Sequence, residues 1–244
     1  MIIIPALDLM NGQIVRLQQG DYDKQTKFTA SPIEQFEEYV SQGAKYLHLV
    51  DLDGAKDPAQ RQLFTIKHIV EGVKAPIQVG GGIRTREDVQ KLLDIGVERV
   101  VVGSTAIQNP EEVKSWFDEF GADSFVLALD TRIEKGKKLI AISGWLETTD
   151  QTLESVIESF LEVGLEHVLC TDISKDGMLQ GSNVKLYKEL VKKYPNINFQ
   201  ASGGIGGLED LEELNQSDVY GVIVGRALLE NKFTTKEAIA CLQK

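Results

Sequence analysis

Cysteine, histidine and positive charge are all scarce in this sequence, and each shortage closes a route. The 244 residues hold two cysteines and three histidines. Cys170 lies in the apolar run 167–170, far from Cys241, and reads as a buried reduced thiol rather than as half of a disulfide. His48, His68 and His167 are scattered, so no metal-ligand spacing is assembled and no metal is expected. Lys plus Arg number 26 against 37 Asp plus Glu, a formal net charge of −11. That is the wrong sign for binding nucleic acid or a membrane surface, which needs a basic face. It does not exclude an anionic small molecule, because a local site can oppose the overall field. No apolar run approaches the ~18 residues needed to span a bilayer. The start, Met-Ile-Ile-Ile-Pro-Ala-Leu-Asp, lacks the basic residues and long apolar stretch of a signal peptide. A cytoplasmic protein is expected.

What the chain does have is alternation. It is 42% hydrophobic and 26% charged, as soluble globular proteins are. Short apolar runs at 2–7, 46–50, 77–79, 100–102, 125–129, 167–170, 198–201 and 222–224 read as buried parallel strands. Between them lie amphipathic segments with helix-start signals. These are Ser31-Pro32-Ile33-Glu34, Asp57-Pro58, Thr85 to Asp88, Asn109-Pro110 and Thr234-Thr235-Lys236-Glu237. Val89, Leu92 and Leu93, and Val156, Ile157, Phe160 and Leu161, recur at helical spacing. Eight strands alternating with eight helices in this length predict an α/β fold, a closed (β/α)₈ TIM barrel, over residues 1–244 as one domain. A doubly wound sheet fits less well, because no Gly-x-Gly-x-x-Gly follows the first strand.

The chain also repeats itself. Ala6-Leu7-Asp8 returns as Ala128-Leu129-Asp130, Gly81-Gly82-Ile83 as Gly203-Gly204-Ile205, and Val102-Gly103 as Val224-Gly225, each 122 positions later. Gly43 and Asp51 match Gly164 and Asp172 at 121. The barrel is therefore expected to consist of two similar (β/α)₄ halves, about 1–122 and 123–244, neither able to bury its sheet alone.

In such a barrel function sits at the C-terminal ends of the strands. Asp8 and Asp130 fall there, across the mouth from each other, as a candidate general acid and general base. An aspartate at a strand end can also do no more than brace a loop. An acid and base pair works only if the surroundings separate the two pKa values. Gly81 and Gly82, with Gly103 and Ser104, and Ser202, Gly203 and Gly204, with Gly225 and Arg226, form two matched glycine-rich sets. Glycines can serve tight turns alone, but two sets in these loops point to backbone cradles for two phosphates on one ligand. Short extra helices are expected at 104–109 and 226–231. Loops one and five are long and are lid candidates, carrying Arg16 and Trp145 to clamp the ligand by charge and by stacking. Thr171 and Asp172 close strand six toward the mouth, whereas Asp51 reads as a support. His48 and His167 read as core residues.

These segments together resemble the isomerase family of histidine biosynthesis that rearranges a bisphosphorylated aminoaldose. The resemblance covers nearly the whole chain. It runs through Ile4-Pro5-Ala6-Leu7-Asp8, Arg16-Leu17-Gln18-Gln19-Gly20-Asp21-Tyr22, His48-Leu49-Val50-Asp51-Leu52, Gly80-Gly81-Gly82-Ile83-Arg84, Leu129-Asp130, Ser143-Gly144-Trp145, Thr171-Asp172-Ile173-Ser174-Lys175-Asp176-Gly177 and Ser202-Gly203-Gly204-Ile205. It implies an Amadori rearrangement from aldose to ketose with no metal or redox cofactor, on a small molecule with a phosphate at each end. It assigns Asp130 as the acid that opens the ribose ring, Asp8 as the base at the sugar C2, and Thr171 as a positioning hydroxyl. The residues alone do not decide which aspartate is acid and which is base. A monomer is expected.

Three rivals remain at this point. The sister cyclase family carries Cys before its Leu-Asp and Lys in loop one, where this chain has Ala6 and Arg16. The phosphoribosyl-anthranilate isomerases use a Cys where Asp8 stands. A sensor that only binds the bisphosphate has no need of a paired acid and base.

Overall fold

The computed structural model describes residues 1–18 and 21–243; Gln19 and Gly20 of the first-loop motif, and Lys244, lie outside the described residues. Twelve strands form one sheet: β1 (Ile2–Met10), β2 (Gln13–Gln18), β3 (Asp21–Lys27), β4 (Leu47–Asp51), β5 (Ile77–Gly80), β6 (Arg99–Val102), β7 (Phe125–Glu134), β8 (Lys137–Ile142), β9 (Glu147–Thr152), β10 (His167–Asp172), β11 (Asn198–Ser202) and β12 (Gly221–Val224). Eight of them, β1, β4, β5, β6, β7, β10, β11 and β12, pair in parallel. The pairing of β12 with β1, Ile2 opposite Gly221, closes the ring. The protein is a (β/α)₈ barrel whose two halves share one continuous sheet.

The helices are α1 (Pro32–Ser41), α2 (Leu52–Lys56), α3 (Leu63–Gly72), α4 (Arg86–Asp94), α5 (Ser104–Gln108), α6 (Pro110–Phe120), α7 (Leu153–Phe160), α8 (Val184–Lys193), α9 (Leu208–Asn215), α10 (Arg226–Leu229) and α11 (Thr235–Cys241). Ser31, Thr85 and Thr234 each cap their helix in a capping box, as their sequences predict. Two proline signals act differently from expectation. Asp57 caps only a three-residue 3₁₀ turn, so α3 starts later, at Leu63. Asn109 precedes Pro110 without a side-chain cap bond. The expected short helices at 104–109 and 226–231 are α5 and α10.

The strands extend beyond the apolar runs where loops one and five return as antiparallel arms. β2 pairs with β1 from Asp8 to Met10, and β3 pairs with β2. β8 pairs with β7 from Asp130 to Glu134, and β9 with β8. Both lid candidates are thus two-stranded extensions of the barrel wall, and each aspartate stands where its arm begins.

The main core lies between barrel and helices, with Leu7, Leu49, Val79, Leu127 and Phe199 against Phe36, Ile66, Leu92, Trp116 and Tyr187. A smaller cluster of Val101, Val126 and Leu169 fills the barrel interior. There the twofold repeat is direct: Gln78 and Gln200 exchange amide hydrogen bonds of 2.7 and 3.0 Å across the 122-residue offset. Among the described residues no helix is long and apolar enough to cross a membrane.

Candidate active site

The two carboxylates at the mouth hold different partners. Asp8 pairs with Val15 across β1 and β2, which brings the next residue of β2, Arg16, within reach. Arg16 Nη1 donates to Asp8 Oδ2 at 3.0 Å, and Nη2 donates to both oxygens of Asp176 at 3.0 Å. Burial pushes the Asp8 carboxyl above the ordinary value of 3.8; the Arg16 charge opposes that rise and the Asp176 charge adds to it. For Arg16 itself burial works against the charge, but the two carboxylates hold its pKa above the usual guanidinium value.

Asp130 starts the second arm. Its Oδ2 accepts a 2.8 Å hydrogen bond from the Trp145 indole Nε1. Trp145 reaches it from the turn between β8 and β9, where Ser143, Gly144 and Trp145 all have positive φ of 57°, 64° and 70°. Thr171 stands opposite Asp130 in the β7–β10 register and its hydroxyl bonds the carboxylate. Burial again raises the carboxyl above 3.8, the Trp145 and Thr171 hydrogen bonds lower it, and the Asp176 charge raises it. Both aspartates feel the charge of Asp176, so the three carboxyls surround one mouth.

One cleft opens beside them. It is lined by Ser202, Gly203 and Gly204 after β11, by Gly225 and Arg226 after β12, and by Arg16 and Asp176. Arg226 heads α10, its Nε donating to Glu230 at 2.6 Å and its Nη1 to the Gly177 carbonyl. On the other side Gly103 and Ser104 open α5, and the Ser104 hydroxyl accepts from the Ser143 amide at 3.1 Å, so the second arm rests on this loop.

The glycines divide into two kinds. A Cβ on Gly82, at φ +65°, would lie 1.8 Å from the Gly54 carbonyl oxygen, and one on Gly204, at φ +93°, 2.2 Å from that of Gly181. Gly81 is as tight against the Asp51 backbone, and Gly203 also has positive φ. These four are required by the backbone itself. Gly103 and Gly225 are less crowded: their φ values are negative, −113° and −108°, and the nearest atoms to an added Cβ are 3.5 and 3.6 Å away. Their lack of a side chain leaves open space at the strand ends.

Asp51 and Asp172 perform the same task in each half. Asp51 accepts from the Gly54 amide and from the amide and side chain of Gln62. Asp172 accepts from the amide and hydroxyl of Ser174 and from the Asn183 side chain. The Asp172 carboxylate is therefore occupied by its own loop. His48 is buried against the Gln78 amide, with its pKa lowered to about 4 by burial. His167, also buried, packs edge-on to Tyr220.

Sequence reasoning singled out neither Asp176 nor Arg61. Asp176 has no acidic counterpart in the first half, where the repeat places Ala55. Arg61, nearly fully buried, donates to the Gly81 and Gly82 carbonyls at 2.8 and 2.7 Å and approaches Asp51 and Asp88. Among the described residues no group of three or more His, Cys, Asp or Glu is arranged to hold a metal ion.

The sequence matches the family model described as "Histidine biosynthesis protein" over residues 2–234. It is also 60% identical, over 99% of both chains, to the 1-(5-phosphoribosyl)-5-((5-phosphoribosylamino)methylideneamino)imidazole-4-carboxamide isomerase of Citrobacter koseri. The chain belongs to that isomerase family. Within the family frame, the barrel mouth just described, with its paired aspartates and glycine loops, is the place where chemistry has to be sought.

Proposed function

We propose that this isomerase converts a bisphosphorylated aminoaldose into the corresponding aminoketose by general acid and base catalysis. The observation that carries the reading is the unequal partnering of two equivalent carboxylates at one mouth. Asp8 faces a guanidinium, which favours its ionised form, and suits a base. Asp130 faces a neutral indole and a hydroxyl in a buried setting, which tolerates a protonated acid.

The steps conserve every atom. Asp130 gives its proton to the ribose ring oxygen as the C1–O bond breaks, and the amine lone pair forms the C1–N double bond of a Schiff base. Asp8 then takes the C2 proton, and the C2–H electrons flow into the C1–N system to give an enaminol. Tautomerisation yields the aminoketose. Thr171 orients Asp130 and the reacting sugar, and the Trp145 ring and Arg16 side chain close over the ligand. One phosphate lies in the cleft formed by Ser202, Gly203, Gly204, Gly225 and Arg226. The other lies by Gly81, Gly82, Gly103 and Ser104. Asp172 shapes the first of these cradles by holding the loop after β10. No redox cofactor enters the sequence of bonds.

The enzyme acts in the cytoplasm as a monomer, with no nucleic-acid or membrane partner. Two buried thiols, a closed sheet and the net charge of −11 support this.

Substrate carrying deuterium at C2 tests the proton-transfer step. The proposal expects turnover to slow and the label to wash into water in wild type. Retention of all the deuterium at carbon in the product contradicts abstraction by an exchangeable carboxylate.

A further inference from the structure

The indole that bonds Asp130 sits on a turn with three consecutive left-handed residues, two of them not glycine. Such a conformation costs on the order of 1 kcal/mol or more for each non-glycine residue and needs support from outside the turn. Two side chains supply it: the Ser104 hydroxyl accepts from the Ser143 amide at 3.1 Å, and Arg132 holds Trp145. Arg132 lies on β7 two residues beyond Asp130, partly buried. Its Nη2 donates to the Trp145 carbonyl at 3.2 Å and its Nη1 to the Thr148 hydroxyl at 2.8 Å. The guanidinium thus ties the turn, at Trp145, and the start of β9, at Thr148, to the strand that carries Asp130. Two hydrogen bonds, indole to carboxylate and guanidinium to the Trp145 carbonyl, together with the β7 backbone link Asp130, Trp145 and Arg132.

We propose that Arg132 is a positioning residue, holding the Ser143-Gly144-Trp145 turn so that the Trp145 indole lies on Asp130. It touches neither Asp130 nor the reacting atoms and acts through Trp145. The first half has no counterpart: the residue two beyond Asp8 is Met10, and Asp8 receives its partner, Arg16, directly from the adjoining strand. Arg132 is therefore part of what makes the two aspartates unequal. The role rests on the acid assignment of Asp130 for its catalytic consequence, but not for its structural one.

Fluorescence separates the two. The chain has two tryptophans, and Trp116 is fully buried in the core, so changes in emission report Trp145. Arg132→Ala should shift the emission to the red and increase acrylamide quenching, without lowering the cooperativity of unfolding. Arg132→Lys, which can reach one acceptor but not grip two, should fall between. In turnover, Arg132→Ala should lower kcat about tenfold more than it raises KM. In a Trp145→Phe background the same change should cost nothing further, because the indole it positions is gone. Unchanged emission and quenching in Arg132→Ala overturn the proposal whatever the activity. So does a loss of kcat equally large with and without Trp145. If wild type shows no isomerase turnover, the proposed function fails while the fluorescence arm still decides the positioning role.

Discussion

Asp8 and Asp130 occupy equivalent positions 122 residues apart, yet one meets an arginine and the other a tryptophan. The residues that reach the carboxylates, rather than the carboxylates themselves, break the symmetry. General acid or base catalysis contributes about 10²–10⁴-fold in rate, so Asp8→Asn and Asp130→Asn should each cut kcat by at least that much, with KM changing far less. A stability effect follows from burial. The folded pKa of Asp130 is raised above its unfolded value, so between the two the folded state binds more protons than the unfolded one. Stability from this group therefore falls as pH rises from the ordinary carboxylate range through the raised folded value. Asp130→Asn removes that loss: its Tm should match wild type near pH 3.5 and exceed it at pH 7. A Tm below wild type at neutral pH would show that the carboxylate is a stabilising brace instead.

At the scale of elements, the barrel strands were legible because they are buried on both faces and most read as continuous apolar runs, with Gln78 and Gln200 as buried interruptions. The two arms were not. β3 (Asp-Tyr-Asp-Lys-Gln-Thr-Lys) is polar apart from Tyr22, β9 (Glu-Thr-Thr-Asp-Gln-Thr) is polar throughout, and neither alternates apolar with polar residues. Only the Asn11-Gly12 turn betrayed the first arm. Repetition made Asp8, Asp130 and the glycine loops visible, and it hid Asp176 and Arg61, which have no acidic or basic counterpart. The glycine loops show a further limit, since sequence cannot separate a glycine needed for backbone packing from one needed for ligand space. Substitution can. Gly82→Ala places a Cβ 1.8 Å from a carbonyl oxygen, so it should destabilise the fold by roughly 3 kcal/mol or more. Gly225→Ala meets no such contact. Its Tm should fall far less than that of Gly82→Ala while KM for the bisphosphate rises about tenfold. Equal Tm values for the two variants would contradict this division.

For the whole molecule, closure is the organising fact. Parallel pairing of β12 with β1 leaves the eight-stranded ring without a free edge. Deleting residues 221–243 exposes the edges of β1 and β11 and removes α10 and α11, so the shortened chain should lose cooperative thermal unfolding and aggregate. A soluble product with a sharp transition would mean the halves are more independent than the shared sheet implies. Closure also puts the two arms, Arg16 on one and Trp145 on the other, over a single mouth, and there the account can be tested most directly. Purified wild type, Asp8→Asn and Asp130→Asn would be assayed on the bisphosphorylated aminoaldose with neither ammonia nor cofactor added. The account predicts ketose from wild type and its loss in both folded variants; ketose at wild-type rate from either variant, or none from wild type, would contradict it.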